Sequence, residues 1–192
     1  MTNAPGNDAH LYPAFLKLEG RVVLVVGAGP IAERKIGGLL DARARIRVVS
    51  PTATPAVQRL ASTGAIDWRP RAFDNADVEE AWLVIAATAD SLVQKQVAAA
   101  ADGCRCFVIA VDDPSHATAY SGAVVRRAPF TVAISSSGAT PALTRLVREI
   151  IEHVLPGEDA IERAKILRAR WKAEGKATGE RFDELVRELT KK

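Results

Sequence analysis

The chain has 192 residues, of which 48% are hydrophobic and 26% are charged, and it carries a net charge of +3. This composition indicates a soluble globular protein with one core and a small accessory unit, since no apolar run approaches the ~20 residues of a membrane helix. The mild positive charge suits an acidic ligand, and it argues against nucleic acid because no basic run is interleaved with aromatic residues.

The first ten residues contain neither a basic region nor an apolar stretch, so they do not form a signal peptide. We interpret them as a disordered segment that leads into a cytoplasmic protein. Residues 12–20 follow, and we expect their apolar side chains to cover the bottom of a sheet.

The strongest signal in the chain is a glycine-rich turn between a strand and a helix. Val22–Val26 are five consecutive apolar residues, which predict a strand buried on both faces of a parallel sheet. Gly27-Ala28-Gly29-Pro30-Ile31-Ala32 follows and opens a helical pattern, as the G-x-G-x-x-G/A fingerprint of dinucleotide binding requires. Gly27 permits the tight turn, Gly29 lets the backbone approach a pyrophosphate, and Ala32 lets the helix pack closely on the strand. The first-turn amides then face the phosphates.

The second strand does not decide between NAD and NADP. Ile46–Val49 form this strand, and the polar run Ser50-Pro51-Thr52 follows it. NAD sites commonly carry Asp or Glu at this place to bind the ribose hydroxyls, whereas this chain has Ser50. Arg43 and Arg45 precede the strand, so they belong to the wrong end of the sheet to bind a 2′-phosphate. The coenzyme choice stays open on the residues alone.

Strands and helices continue to alternate up to residue 111, which predicts a doubly wound α/β sheet. Thr88 follows a buried strand, at the carboxyl edge where such sheets bind ligands. Cys104 and Cys106 are expected to be reduced, buried thiols on one face of the last strand. The predicted elements of this part are a helix over 55–63, strands over 65–69 and 82–87, a helix over 91–101 and a strand over 106–111.

An acidic pair, Asp112-Asp113-Pro114, follows the last of these strands. A carboxylate at this edge, beside a dinucleotide, is where an acid/base group would be placed. The same three residues are also typical of a turn, so the sequence leaves both interpretations open. His116 lacks the neighbouring ligands that a metal site needs, and we expect no resident metal.

The pattern changes after residue 129. Phe130–Ile134 alternates like a strand, and the polar loop Ser135–Ala139 leads to a helix over 142–154 with Thr140 as its N-cap. A serine-rich loop before a helix is a second anion site in principle, or else a plain capped connection. Residues 158–192 carry apolar residues at helical spacing, which predicts an accessory hairpin of two helices.

Four motifs, in this order, connect the chain to a known family: YPAFLKLEGRVVLVVGAGPIAERK, LVIAAT, AVDDP and VAISSSGATPALTRLVRE. Together they resemble the siroheme-synthase dehydrogenase family, the precorrin-2 dehydrogenases, some of which also act as sirohydrochlorin ferrochelatases. The likeness covers about residues 12–156, and residues 157–192 fit the helical tail of some members. The methyltransferase domain of the fused siroheme synthases is missing, so we expect a stand-alone enzyme.

The resemblance implies a fold and a division of the chain. A Rossmann-like doubly wound parallel sheet over residues 1–113 would bind NAD. A small α+β dimerisation and substrate segment would span 114–156, and a helical tail would span 157–192. The resemblance also implies a homodimer, in which the segment after the Rossmann domain crosses to the partner.

The resemblance further implies a reaction. Precorrin-2 gives a hydride to NAD⁺ and loses protons to become sirohydrochlorin, and in bifunctional members Fe²⁺ is then inserted to give siroheme. The catalytic aspartate of the family falls on Asp112. The coenzyme contacts fall on residues that follow three of the predicted strands: Gly27, Gly29, Pro30, Ile31, Ser50, Pro51, Thr52 and Thr88.

The implied tetrapyrrole substrate carries eight carboxylates, so a basic cleft should attract it. The chain departs from the family pattern at Arg43 and Ser137, where members carry glycine, and the first of these positions is usually left-handed. A nucleotide-sensing domain without catalysis is the alternative function, although it would not need the AVDDP and SSSGATP motifs. The candidate substrate-binding residues are Ser135, Ser136, Gly138, Arg126, Arg127, Arg145 and Arg148.

Overall fold

The computed structural model describes residues 11–137 and 139–190, without the side chains of residues 189 and 190. It divides into two compact units: the first ends at Ser121 and includes residues 137 and 139, and the second comprises Gly122–Ser136 and the described residues from Thr140 on. The expectation of a disordered segment over residues 1–10 falls outside the described residues. The division into three parts stays a prediction.

The first unit is built on a five-stranded parallel sheet with the strand order β3-β2-β1-β4-β5. The order reverses between β1 and β4, and open α/β sheets bind their ligands at such a switch point. The predicted doubly wound sheet is therefore confirmed. Its strands are β1 (Val22–Val26), β2 (Arg45–Val49), β3 (Asp67–Arg69), β4 (Leu83–Ala86) and β5 (Phe107–Ala110).

Both faces of this sheet are buried. Val23 and Val25 of β1 belong to one hydrophobic core, while Leu24 and Val26 belong to a second core on the opposite face. Successive side chains of a strand point to opposite faces, which explains why β1 is an unbroken apolar run. The first core is completed by the helices α1 (Pro30–Asp41) and α2 (Pro55–Ser62), and the second by α3 (Ser91–Gly103).

The segment before β1 was expected to cover the bottom of the sheet, and this expectation is wrong. Tyr12 is 90% exposed and Phe15 is 71% exposed, and Leu18 is the residue of this segment that joins the first core. Residues 11–18 form no regular secondary structure, so their apolar side chains are not directed to a common face.

The expectation for the two cysteines is wrong for Cys104. α3 continues to Gly103, two residues beyond the predicted end, and Cys104 is its exposed C-cap instead of a strand residue. Cys106 is buried and its thiol donates to the Ala81 carbonyl at 3.3 Å. Burial raises the pKa of this thiol. The predicted strand over 65–69 is also shorter in the structure, where β3 begins only at Asp67.

The second unit is a β-hairpin with three helices. β6 (Ala123–Arg127) and β7 (Phe130–Ile134) pair antiparallel, and β6 was not indicated by the sequence pattern. α4 (Pro141–Val154) packs on the hairpin, and α5 (Glu158–Ala173) and α6 (Thr178–Thr190) form the predicted helical tail. None of the helices in the described part of the chain is long and apolar enough to cross a bilayer.

Candidate active site

The glycine turn after β1 is held by both neighbouring strands. The Gly27 amide donates to the Val49 carbonyl of β2 at 2.9 Å, and the Ala87 amide donates to the Val26 carbonyl at 2.8 Å. Gly27 has a φ of +102°, and a Cβ added there would lie 2.4 Å from the Ala87 carbonyl oxygen. Only glycine satisfies both conditions, so this residue is needed for the turn itself.

Gly29 and the start of α1 leave space for a ligand. Gly29 is the N-cap of α1, no side chain caps the helix, and a Cβ added to Gly29 would meet nothing within 4 Å. Ala32 is fully buried, which lets the first turn of α1 lie close to β1. The Glu33 carboxylate accepts a hydrogen bond at 2.9 Å from the hydroxyl of Thr54, the N-cap residue of α2, so this acidic group is held at the start of α2. The open N-terminus of a 12-residue helix suits an anionic phosphate.

A pocket of about 510 Å³ opens at the carboxyl ends of β1, β4 and β5. It brings together the predicted residues Gly29, Pro30, Ile31, Thr88 and Asp112. These residues are up to 83 positions apart in the chain, and the parallel order of the strands places them at one edge of the sheet. The pocket is completed by Ala87, Ala89, Ser91, Gln94, Val111 and Asp113.

Asp112 stands at the β5 side of this pocket. It follows Val111, whose amide continues the sheet by donating to the Ala86 carbonyl at 3.0 Å, and its own backbone is left-handed with a φ of +59°. Its carboxylate has no hydrogen-bond partner among the described residues, and its charge acts on Lys35. This carboxylate is therefore available to a bound molecule.

Lys35 of α1 was not singled out in the sequence. Its Nζ donates to the Ser121 hydroxyl at 2.5 Å. Burial lowers the pKa of Lys35, and Arg34 lowers it further, while the negative charge of Asp112 opposes both effects. A half-buried lysine thus accompanies the candidate acid/base group. Only the tertiary fold could show this, since the two residues are 77 positions apart.

Asp113 differs from Asp112 because its side chain is occupied by the following turn. Its carboxylate accepts from the Ser115 hydroxyl at 2.5 Å and lies 2.6 Å from Nδ1 of His116. The hydrogen bond from Ser115 is the main cause that lowers the pKa of Asp113, and His116 adds to it. Both aspartates line the pocket, but the Asp113 carboxylate is bound within the turn, whereas the Asp112 carboxylate has no such partner among the described residues. The acid/base role of Asp112 stays a prediction.

The residues after β2 lie beside the glycine turn, outside the pocket. The Ser50 hydroxyl donates to the Thr52 carbonyl at 2.8 Å, and the Ser50 carbonyl accepts from the Trp68 indole at 3.1 Å. The Thr54 amide donates to the Ala28 carbonyl at 3.0 Å, which joins this segment to the turn. Pro51 and Thr52 are exposed there. Their assignment as coenzyme contacts stays a prediction.

The predicted substrate-binding residues belong mainly to the second unit, where several already have partners. Arg127 donates to the Leu155 carbonyl at 2.7 Å, and Arg145 and Arg148 of α4 pair with Glu149 and Glu152 on the same helix. The Ser136 hydroxyl accepts from the Thr144 hydroxyl at 2.7 Å and from the Thr140 amide at 3.3 Å, so it stabilises the start of α4.

Arg126 is exposed on β6, and Ser135 is exposed just after β7. Gly138 lies outside the described residues. A role in substrate binding stays a prediction for the whole set.

Comparison with known proteins gives one family and several relatives. A family model described as "Putative NAD(P)-binding" matches residues 14–123. Siroheme synthase 1 of Aeromonas salmonicida is 42% identical over 171 residues, which are 88% of this chain and 36% of that protein. Siroheme synthase 1 of Klebsiella pneumoniae subsp. pneumoniae is 44% identical over 144 residues, 75% of this chain and 31% of that protein. The chain thus spans about a third of the length of these curated relatives.

Among solved structures, the one described as SirC, precorrin-2 dehydrogenase, is similar to nearly the whole chain. The two superpose with a TM-score of 0.75 at 25% sequence identity, covering 94% of this chain and 90% of that one. The similarity therefore includes the hairpin and the helical tail as well as the parallel sheet.

Proposed function

This chain belongs to that NAD(P)-binding family, and from this premise we propose that it is an NAD⁺-dependent dehydrogenase that oxidises precorrin-2 to sirohydrochlorin. The observation that carries the proposal is the shared pocket, which is lined both by Asp112 and by the open phosphate turn at the start of α1. The similarity to siroheme synthases and to a precorrin-2 dehydrogenase supports the choice of substrate.

The residues of the turn fit a dinucleotide. The space above Gly29 admits a pyrophosphate, and the uncapped first turn of α1 offers it backbone amides. Ser50, Pro51 and Thr52 would contact the adenosine ribose, and Thr88 would lie beside the nicotinamide. When bound, NAD⁺ accepts the hydride, and the protein aligns the substrate with it.

We favour NAD over NADP because the three arginines at or before the start of β2 and at the end of β3 are either paired with carboxylates or far from this edge. Arg45 is the first residue of β2, so it lies at the opposite end of the sheet, and Arg43 precedes it. Arg69 ends the neighbouring strand β3, but its guanidinium pairs with Asp67 and Asp77. A 2′-phosphate would therefore find no free cation among these three arginines.

Asp112 would supply the protein's own chemistry. Oxidation of precorrin-2 to sirohydrochlorin removes one hydride and one proton, and the Asp112 carboxylate would accept the proton. The carboxylates of the tetrapyrrole would meet Arg126, Arg127, Arg145 and the Ser135–Gly138 loop. Lys35, whose ammonium is influenced by the negative charge of Asp112, would lie close to this base.

Two further properties belong to the proposal. Fe²⁺ as a second substrate would enter sirohydrochlorin to give siroheme, with Asp112 accepting the pyrrole protons. The names of the siroheme synthases support this second activity. The enzyme would work as a cytoplasmic homodimer, formed through the 114–156 segment.

An anaerobic assay with enzymatically generated precorrin-2 tests the function. We expect NAD⁺-dependent appearance of the sirohydrochlorin spectrum, with NADP⁺ less effective, and faster insertion of added Fe²⁺ or Co²⁺ than in a protein-free control. Insertion at the control rate would limit the protein to the dehydrogenase step. Tight coenzyme binding without any conversion would instead favour the nucleotide-sensing alternative.

A further inference from the structure

Gln94 is a buried polar residue that the proposed chemistry does not use. It lies in the first turns of α3 and is only 7% exposed. The other buried polar side chain among the described residues, Asp77, is paired with Arg71 and Arg69. Gln94 has no charged partner in the described part of the chain, and it lines the pocket together with Thr88 and Asp112.

The Gln94 side chain connects the ends of two strands. Its Nε2 donates to the Thr88 carbonyl at 2.7 Å and to the Val111 carbonyl at 3.2 Å. The β4–β5 pairing ends at Ala86 and Ala110, so both carbonyls lie just beyond the last paired residues. Gln94 therefore bridges the gap where β4 and β5 leave the sheet and enter the pocket.

These two bonds fix the orientation of the amide. Both partners are acceptors, so only the NH₂ group can face them, and Oε1 must point away. Oε1 is buried there and has no hydrogen-bond partner within the described part of the chain. A buried acceptor without a partner is unfavourable, and its presence indicates that the two carbonyl contacts determine the choice of residue.

We propose that Gln94 is a positioning residue that holds the Thr88 and Val111 carbonyls at a fixed separation and thereby places Asp112 against the coenzyme. The inference rests on the proposed function. Asp112 follows Val111 directly and has a left-handed backbone with a φ of +59°, so the direction of its side chain depends on where the Val111 carbonyl is held. Gln94 acts through Asp112 and does not touch the reacting atoms.

The test compares the full-length Gln94→Leu variant with Gln96→Leu, an exposed position on the same helix whose amide donates to Asn75. We expect kcat for precorrin-2 oxidation to fall about 10- to 100-fold in Gln94→Leu, as for a small misplacement of a catalytic group. The dissociation constant of NAD⁺ should change less than kcat does, because Gln94 does not contact the phosphate turn and reaches the proposed coenzyme site only through the Thr88 carbonyl. Unchanged kcat in Gln94→Leu, or an equal loss in Gln96→Leu, would overturn the proposal.

Gln94→Glu separates positioning from general destabilisation. A protonated carboxyl can still donate one hydrogen bond to a carbonyl, whereas the ionised form can donate none. Asp112 and Asp113 line the same pocket and Asp90 caps α3. The basic groups nearby are Lys35 of α1, which interacts with Asp112, His116, which lies against Asp113, and the exposed Lys95 of α3. Burial at this position and the three carboxylates favour the protonated form. We expect kcat of this variant, relative to wild type, to recover as the pH is lowered. A ratio independent of pH would contradict the proposal.

Hydrogen exchange gives a readout that needs no activity. The Val111 and Ala87 amides are bonded across β5, β4 and β1, and peptides that contain them should exchange about tenfold faster in Gln94→Leu than in wild type or Gln96→Leu. Equal exchange would show that Gln94 does not hold these strand ends. If wild type binds NAD⁺ but does not oxidise precorrin-2, the proposed function fails, and the exchange comparison still decides whether the bridge exists.

Discussion

Asp112 and Asp113 are neighbours in the chain, and the structure gives them different surroundings. The Asp113 carboxylate is bound by Ser115 and His116, whereas the Asp112 carboxylate faces the pocket without such partners among the described residues. Because a group that receives a proton from a substrate must be accessible, Asp112 is the better candidate for the acid/base role.

Replacing Asp112 with Asn should therefore remove the dehydrogenase reaction while leaving the coenzyme site intact. We expect kcat to fall about 100-fold or more, since general base catalysis contributes about 10²- to 10⁴-fold. Steady-state kinetics with precorrin-2 and titration of NAD⁺ by calorimetry would measure both effects. Ser115→Ala, which changes only the turn, serves as the control. Full activity of Asp112→Asn would show that the proton is taken elsewhere.

The two glycines of the turn should respond differently to substitution. Gly27→Ala places a Cβ 2.4 Å from the Ala87 carbonyl at a positive φ, so we expect the free energy of unfolding to fall by at least about 2 kcal/mol. Gly29→Asp should fold normally, because its side chain enters open space, but its charge should weaken NAD⁺ binding about tenfold or more. Denaturant unfolding and calorimetry distinguish the two. Equal effects on stability would contradict this account.

At the scale of elements, non-glycine residues with a positive φ lie in the connections between helices and strands. Arg43 follows the C-cap residue of α1 with a φ of +55°, and Ser137, in the loop between β7 and α4, has a φ of +52°. The family resemblance indicated glycine at both positions, and the backbone keeps the left-handed form with other residues there. The left-handed conformation is therefore set by the geometry of the connection, and a residue other than glycine can adopt it there.

The tail helices α5 and α6 are joined by the Glu184 carboxylate. It accepts from the Trp171 indole at 2.9 Å and also binds Lys176 and Arg170. The pKa of Glu184 is lowered from 4.5 to about 2, mainly by the hydrogen bond from Lys176. The hydrogen bond from Trp171 and the positive charge of Arg170 add to this effect. A carboxyl whose pKa is lowered on folding stabilises the protein above its unfolded pKa, and this contribution is lost as the pH falls through the folded value.

Glu184→Gln should consequently destabilise the tail at neutral pH, and the difference from wild type should shrink as the pH falls from about 4.5 towards 2. Denaturant unfolding followed by tryptophan fluorescence at several pH values measures this difference. Glu162→Gln, which breaks an exposed pair with Lys165 on α5, is the matched control and should have little effect. A difference that does not depend on pH would contradict the assigned role of the carboxylate.

At the scale of the whole molecule, α4 has an apolar face that the second unit leaves uncovered. Leu143, Leu146, Ile150 and Val154 recur at helical spacing and are each more than half exposed. Apolar residues in such a stripe are commonly buried against a partner. This face is our candidate for the homodimer contact of the proposed enzyme.

The double variant Leu146→Glu, Ile150→Glu should therefore dissociate the dimer. We expect its dissociation constant to rise about 100-fold or more, because two charged groups would have to be buried at the contact. Sedimentation equilibrium measures the change, and Ile166→Glu, an exposed isoleucine on α5, is the control. A wild-type protein that stays monomeric at tens of micromolar would refute the dimer.

The sequence by itself determined the parallel sheet, its glycine turn and the helical tail. These features depend on local patterns, namely unbroken apolar strands, a turn that needs Gly27, and apolar spacing along helices. The expected burial of the apolar side chains before β1 and of Cys104 is wrong. Burial depends on which distant surfaces meet and on where a helix ends, and neither can be inferred from a local pattern.

Only the tertiary structure decided how the site is assembled. The position of Asp112 after the last strand predicts its place at the carboxyl edge, but nothing in the local sequence says that the side chains of Lys35 and Gln94 lie near it. The sequence does contain one signal for Gln94, because it is a polar residue between the apolar Val93 and Val97 on the inner face of α3. Its role became visible only with the Thr88 and Val111 carbonyls, because a side chain's hydrogen bonds are set by the fold and not by its own neighbours in the chain.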